Sequence, residues 1–420
     1  MATDMIMRLG SIVFAVLFLF LVFVFVTVII SIFKKEKYKD YKPKVSVVIP
    51  CYNEEENIKD CLDAVYGLDY PEEKIEIIVV DDGSRDSTLK IISNYKKEHK
   101  NLIILKAKHK GKSASLNLGV KKAKYELILT VDADTIIYKN SLKMLVKPFS
   151  NKEVGATNGS CIAKNTNSLL GAFQGIEYHY NNLMRRSFSA VFKNVIWFFG
   201  AFACYRKEVL KNIRYFKKDT LTEDMDTAME IYSHGYRTVN VYNALCLTLV
   251  PSGLKALFNQ RARWWAGAWQ TLGKNKTLFS FKSNPSILFL FVNQYWWSFF
   301  SVVSLPLIVY QIHYWLPVSS SSILEFFMYF FRWFSILGPV YVIYKIPVWG
   351  ISTYNIFGVL SGIMSIFLIT RAIYMFGDRM NLKNVFAIFF YFPYTIILNT
   401  IILTSLIRLI FLKRRYFIYK

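Results

Sequence analysis

The 23 residues from Ser11 to Phe33 (SIVFAVLFLFLVFVFVTVIISIF) contain no charge. In hydrocarbon every backbone N–H and C=O must be satisfied within the segment, so a run of this length predicts a helix that crosses a bilayer with some tilt. A cleaved signal peptide would be shorter and would end at small residues, whereas this run ends in Lys34, Lys35, Lys37 and Lys39. Lysines in that position stay on the cytoplasmic face, which predicts an outer N-terminus and a cytoplasmic chain from about Tyr41. Four more apolar stretches follow Asn275, at about Ser286–Tyr310, Ile323–Tyr344, Ile351–Phe376 and Val385–Leu412, in a tail whose acidic residues are Glu325 and Asp378. The apolar residues, 54% of the chain, are clustered rather than periodic, as in a multi-pass plasma-membrane protein. An even number of crossings returns Lys413, Arg414 and Arg415 to the cytoplasmic side. Strict alternation then places Arg379 and Lys383 outside, so one of the last stretches is expected to be interfacial or re-entrant, with a break near Pro393.

Between these apolar parts the composition changes. Val45–Pro50, Ile75–Val80, Leu102–Leu105 and Glu126–Val131 are short, mostly apolar runs separated by helical stretches, and read as strands buried on both faces. They predict an α/β domain with a mostly parallel sheet of βαβ units, whose ligands sit beyond the carboxyl ends of the strands. The expected division is residues 1–40 as transmembrane helix and basic flank, 41–275 as cytoplasmic domain ending in an amphipathic interface helix, and 276–420 as about four transmembrane helices.

The formal charge of +23 has no groove-reading motif or stacking platform beside it, and many cations flank apolar spans. Nucleic acid is therefore not the expected partner; anionic membrane lipid and an anionic small substrate are. The five cysteines show no CxxC and no histidine at ligand spacing, which argues against structural zinc, and in a cytoplasmic domain they stay reduced.

Four polar clusters fall in order. In VSVVIPCYNEEENI and IIVVDDGSRDST, Tyr52, Glu54, Asp81 and Asp82 follow strand ends, where a carboxylate suits a nucleobase imide or ribose hydroxyl; Asp-Gly-Ser is equally an ordinary turn. LILTVDADT places Asp132 and Asp134 at a strand end as hard oxygen ligands for Mg²⁺ or Mn²⁺, or as a plain turn. Just upstream, the glycine turn and helix start at His109–Asn117, with Lys112, suit an anion. In TEDMDTAMEIYSHG, Thr222 is a candidate N-cap, Glu223 follows it, and Asp224 is either a general base or a helix-start acid facing the dipole. QRARWW sets Gln260, Arg261, Arg263 and Trp264 beside the membrane, a group able to hold a diphosphate and stack on a sugar, or to lie among lipid headgroups.

The order DDGS, DAD, TED, QRARW resembles the membrane-embedded family 2 glycosyltransferases of GT-A fold, which include synthases of cellulose, chitin, hyaluronan and poly-N-acetylglucosamine, over roughly Lys44 to Gly273. The resemblance implies a nucleotide pocket of Tyr52, Glu54, Asp81, Asp82 and Lys112, and a metal-binding pair Asp132 and Asp134, with Asp132 also facing the donor. It implies Asp224 as the catalytic base with Thr222 and Glu223 beside it. Gln260, Arg263 and Trp264 match its QxxRW motif, where arginine meets the diphosphate and tryptophan floors the acceptor site; Arg261 lies within that motif. Gly200 and Cys204 in FFGAFACYR look like its acceptor-facing segment. The implied activity is inverting, metal-dependent transfer of a hexose or N-acetylhexosamine from a nucleotide sugar, UDP-linked, to a growing β-linked polysaccharide that crosses the membrane. Single transfer to a membrane lipid, as by ceramide glucosyltransferase, is the alternative. Whether an accessory subunit takes part is left open by the sequence.

Overall fold

The computed structural model describes residues 2–34, 37–315, 323, 327, 338–377 and 381–411. The chain opens with the helix Ala2–Phe33 (α1) and then enters an alternation of strand and helix: Val45–Cys51 (β1), Ile58–Tyr66 (α2), Ile75–Asp81 (β2), Thr88–Glu98 (α3), Leu102–Lys106 (β3), Lys112–Lys122 (α4) and Leu127–Val131 (β4). Every residue of β1 and β4 is buried, because helices cover both faces of the sheet. Ile58, Leu62 and Ile92 of α2 and α3 pack on one face with Val47 and Ile49, while Leu116 and Val120 of α4 pack on the other with Val48 and Val80.

A second group of elements follows: Ile136–Ile137 (β5), Ser141–Leu145 (α5), Val154–Ala163 (β6), Leu169–Phe192 (α6), Phe202–Arg206 (β7), Lys207–Asn212 (α7), Glu223–Ser233 (α8), Arg237–Thr248 (β8) and Leu254–Lys274 (α9). All eight strands form one sheet in the order β3-β2-β1-β4-β7-β6-β8-β5. The first four are parallel neighbours, with Cys51 opposite Asp81 and Val45 opposite Leu127, so their carboxyl ends share one edge. Beyond them the sheet becomes mixed, since β7 runs antiparallel to both β4 and β6, and β8 parallel to β6.

The apolar tail contains Pro285–Trp315 (α10), Gly338–Trp349 (α11), Thr353–Phe376 (α12), Leu382–Phe389 (α13) and Tyr391–Phe411 (α14). Among the described residues, four segments are long and apolar enough to cross a membrane: Arg8–Phe33, Pro285–Pro306, Asn355–Phe376 and Pro393–Phe411. Most of the expected Ile323–Tyr344 stretch, and the cations at 413–415, lie outside the described residues. The last stretch is not one helix. Phe390 leaves helical geometry at φ −105° and ψ 29°, and Pro393 sits in the first turn of α14, where its missing N–H breaks no helical bond. The preceding α13 packs Ala387 and Ile388 against Ala172 and Ile176 of α6, and Lys383 Nζ donates to the Thr166 carbonyl. Residues 382–389 thus rest on the α/β unit rather than across the apolar region from it, where strict alternation had placed Lys383.

Candidate active site

Because β1, β2 and β4 end together, Tyr52, Asp81, Asp82 and Asp132 arrive at one edge of the sheet. Asp82 is buried and already holds an anion-binding loop: its carboxylate accepts the N–H groups of Lys110 at 3.0 Å and Gly111 at 2.8 Å, and His109 Nδ1 lies 2.9 Å away. The positive φ of 88° at Gly111 turns the chain so that these donors face Asp82 just before α4 begins. The anion served by this glycine turn is thus the chain's own carboxylate. His109 in turn stacks on Tyr52, with ring centres 4.0 Å apart, a partnership the sequence did not announce. Asp81, also buried, accepts from Ser84 N–H at 3.3 Å. Glu54 anchors the other side through its backbone N–H to Thr88 Oγ1 at 2.7 Å and accepts from Asn57 Nδ2 at 2.9 Å. Burial raises its pKa, and Asp134 and Asp132 add to the rise, while the Asn57 bond opposes it.

Lys112, the first residue of α4, joins two of the expected clusters. Its ammonium stands 2.6 Å and 2.8 Å from the two oxygens of Asp132 and 3.3 Å from Glu223 Oε1. Burial would favour its neutral form, but Asp132, Glu223 and Asp224 outweigh that and raise its pKa.

Asp224 is fixed by the backbone. Its Oδ2 accepts from Gly200 N–H at 2.9 Å and its Oδ1 from Met225 N–H at 2.8 Å. Burial and the adjacent Glu223 raise its pKa to about 6, against the pull of Lys112 and the two N–H donors. Thr222 stands at the N-cap position of α8 but its side chain caps nothing. Its hydroxyl instead meets Thr271 Oγ1 on α9 at 3.2 Å, which corrects the expectation of a side-chain cap. Gly200 is thus brought to the cluster, whereas Cys204 is not: it is fully buried in β7 as part of the core beneath the sheet.

The two arginines of α9 have opposite surroundings. Arg261 is buried, donates to Glu177 Oε2 at 2.9 Å and to Gln260 Oε1, and lays its guanidinium 4.3 Å from the centre of the Trp264 ring. Tyr394 of α14 donates to the same Glu177 oxygen at 2.6 Å, so one carboxylate of α6 ties the motif helix to a membrane-length helix. Glu177 is a residue that sequence reading missed, since its signal is only a single acid inside α6. Arg263 is exposed, and among the described residues no partner holds it. Trp264 is half-buried against the core under the sheet.

Asp132 and Asp134 are the candidate metal carboxylates. Among the described residues no group of three or more His, Cys, Asp or Glu side chains is placed to hold a metal by itself. Two carboxylates suit a hard cation that draws its remaining oxygens from a diphosphate and water. Burial together with Asp132 raises the pKa of Asp134, a crowding of carboxylates that a cation would relieve, although Lys112 holds both oxygens of Asp132 in this structure and would have to yield one.

The family described as glycosyltransferase like family 2 matches residues 43–267. The poly-beta-1,6-N-acetyl-D-glucosamine synthase of Staphylococcus epidermidis is 36% identical over 231 residues, which are 54% of this chain and 55% of that protein. The synthase of the same name from Staphylococcus aureus strain COL is 33% identical over an equal length. The match spans about half the length of these curated relatives. Among solved structures, the mannosyltransferase PcManGT from Pyrobaculum calidifontis, in complex with GDP-Man and Mn²⁺, superposes with a TM-score of 0.65. That alignment covers 99% of this chain and 100% of the other at 19% identity, a likeness of fold that extends through the apolar helices.

Proposed function

Because this chain belongs to glycosyltransferase-like family 2, we propose that it transfers N-acetylglucosamine from a UDP-linked donor to a growing β-linked polysaccharide. The α/β unit has the GT-A fold, and the enzyme is a glycosyltransferase. The observation that carries the proposal is the meeting of Lys112 with Asp132, just past the end of β4, and Glu223 of α8, directly beside Asp224. It joins the side proposed for the donor to the side proposed for the acceptor. The choice of sugar is supported by the names of the curated relatives.

In the proposed site Tyr52, Glu54, Asp81 and Asp82 flank the nucleotide, with Asp82 acting also through the loop it holds. Asp224, fixed by Gly200 N–H, takes the proton from the acceptor hydroxyl as that oxygen attacks the anomeric carbon opposite the nucleoside diphosphate. Such a displacement inverts the anomeric centre. Arg263 donates to the leaving diphosphate, and Trp264 carries the acceptor sugar on its ring. Asp132 and Asp134 would hold a Mg²⁺ or Mn²⁺ ion, which when bound supplies charge to the departing diphosphate. Residues 41–275 form the catalytic domain in this reading, placed in the cytoplasm, and the flanking apolar helices hold it at a membrane and pass the polymer across.

The test incubates purified protein in nanodiscs with Mg²⁺ or Mn²⁺ and a panel of UDP- and GDP-sugars, following nucleotide release and product size together. UDP release from UDP-N-acetylglucosamine with a long polymeric product is expected. A single-sugar glycolipid as the sole product would replace the polymer by a lipid acceptor.

A further inference from the structure

The segment that carries Asp224 is gripped along its length by one face of α9. A Cβ on Gly267 would stand 2.6 Å from Thr222 Cγ2, so α9 meets that residue at a distance only glycine allows. Gln270 Oε1 accepts from Leu221 N–H at 3.0 Å, and Thr271 Oγ1 lies 3.2 Å from Thr222 Oγ1. Lys274 Nζ reaches three carboxylates: Asp226 at 2.8 Å, Glu230 at 3.1 Å and Asp219 at 3.4 Å. Asn275 Nδ2 adds a contact to the other Asp226 oxygen at 3.4 Å. Gly267, Gln270, Thr271 and Lys274 recur at i, i+3, i+4 and i+7, which places them on a single stripe of α9, and Asn275 continues it at the C-cap. Their partners lie between Asp219 and Glu230, on both sides of Asp224.

We propose that this stripe, with Lys274 and Gln270 as positioning residues, sets the depth at which Asp224 meets the acceptor. The proposal rests on Asp224 being the general base. Its physical ground is that Asp226 is fully buried and its charge has to be met: Lys274 does so from α9, ten residues beyond Trp264. The helix bearing the proposed acceptor platform and the helix bearing the proposed base are thereby joined as one unit. A shift of about 1 Å between a base and its proton costs on the order of 100-fold in rate.

The experiment compares Lys274→Met, Lys274→Arg and Gln270→Leu with wild type and with Asp224→Asn, all in lipid nanodiscs with UDP-N-acetylglucosamine. The expected result for Lys274→Met and Gln270→Leu is a fall in kcat of about 10- to 100-fold with donor KM nearly unchanged, and recovery of most of kcat in Lys274→Arg. Asp226→Asn combined with Lys274→Met should fall short of the sum of the two single effects, because the Lys274–Asp226 pair they share is lost only once. Loss of kcat in Asp224→Asn but wild-type kcat in Lys274→Met and Gln270→Leu would overturn the positioning role while leaving the base in place. Full activity in Asp224→Asn would instead remove the base assignment. If Lys274→Met fails to fold, Gln270→Leu, which removes no charge, decides the matter alone.

Discussion

Gly200 and Asp224 are fitted to each other: the Gly200 N–H donates to Asp224 Oδ2 at 2.9 Å, and a Cβ on Gly200 would come 2.6 Å from Asp224 Cβ. The turn before β7 therefore does two things at once, fixing one carboxylate oxygen and leaving room for the side chain. Gly200→Ala should push Asp224 off its line and lower turnover on the order of 100-fold. Steady-state rates beside a circular-dichroism melt check this; unchanged turnover would mean that the contact is incidental.

The raised pKa of Asp224, about 6, sets a pH limb. A base acts as the carboxylate, so kcat/KM, which reports the free enzyme, should fall as pH drops through about 6, where an unperturbed aspartate would fail only near 4. Glu223 is among the causes that raise the value, so Glu223→Gln should move the limb to lower pH. A pH–rate profile of both proteins measures the direction, and an upward shift would contradict it.

How much of this was legible in the sequence follows from where each signal resides. The parallel strands could be found because β1, β2 and β4 are covered on both faces and so read as mostly apolar runs, with Ser46, Glu76 and Thr130 as isolated polar residues inside them. β6 could not: it buries Thr157, Asn158 and Ser160, polar residues that periodicity assigns to loops. The strand-end carboxylates follow from topology, since parallel strands in register deliver their ends to one edge. The different fates of Arg261 and Arg263 do not, because the deciding partner, Glu177, lies 84 residues earlier on α6. The hydroxyl of Thr222 likewise goes to Thr271, 49 residues on, rather than to its own helix.

That difference between the arginines is itself testable. Arg261→Met removes a buried guanidinium and leaves the partly buried Glu177 without its cation, which should cost about 3 kcal/mol of stability. Arg263→Met should leave the melting temperature alone and suppress both sugar transfer and donor hydrolysis. Trp264→Ala should retain slow hydrolysis while elongation fails, since a stacking platform positions acceptor and not donor. Thermal melts with UDP release and polymer yield, measured side by side, separate the three; equal loss of both readouts in Trp264→Ala would end its acceptor assignment.

Asp132→Ala and Asp134→Ala should weaken Mn²⁺ binding in the presence of UDP by tenfold or more, an order of magnitude expected on losing one of two protein carboxylates. Titration calorimetry reads this without reference to turnover. EDTA should stop wild-type transfer, and full activity in EDTA would reduce this strand end to a turn.

The central claim, that Asp224 activates the acceptor, is tested most directly by Asp224→Asn, which keeps the size of the side chain and the oxygen that accepts from Gly200 N–H. Donor affinity by calorimetry and transfer rate should be measured on the same preparation. The expected result is near-native affinity for UDP-N-acetylglucosamine with transfer reduced ~100- to 10,000-fold. Transfer at the wild-type rate, or loss of donor binding in step with transfer, would contradict the account.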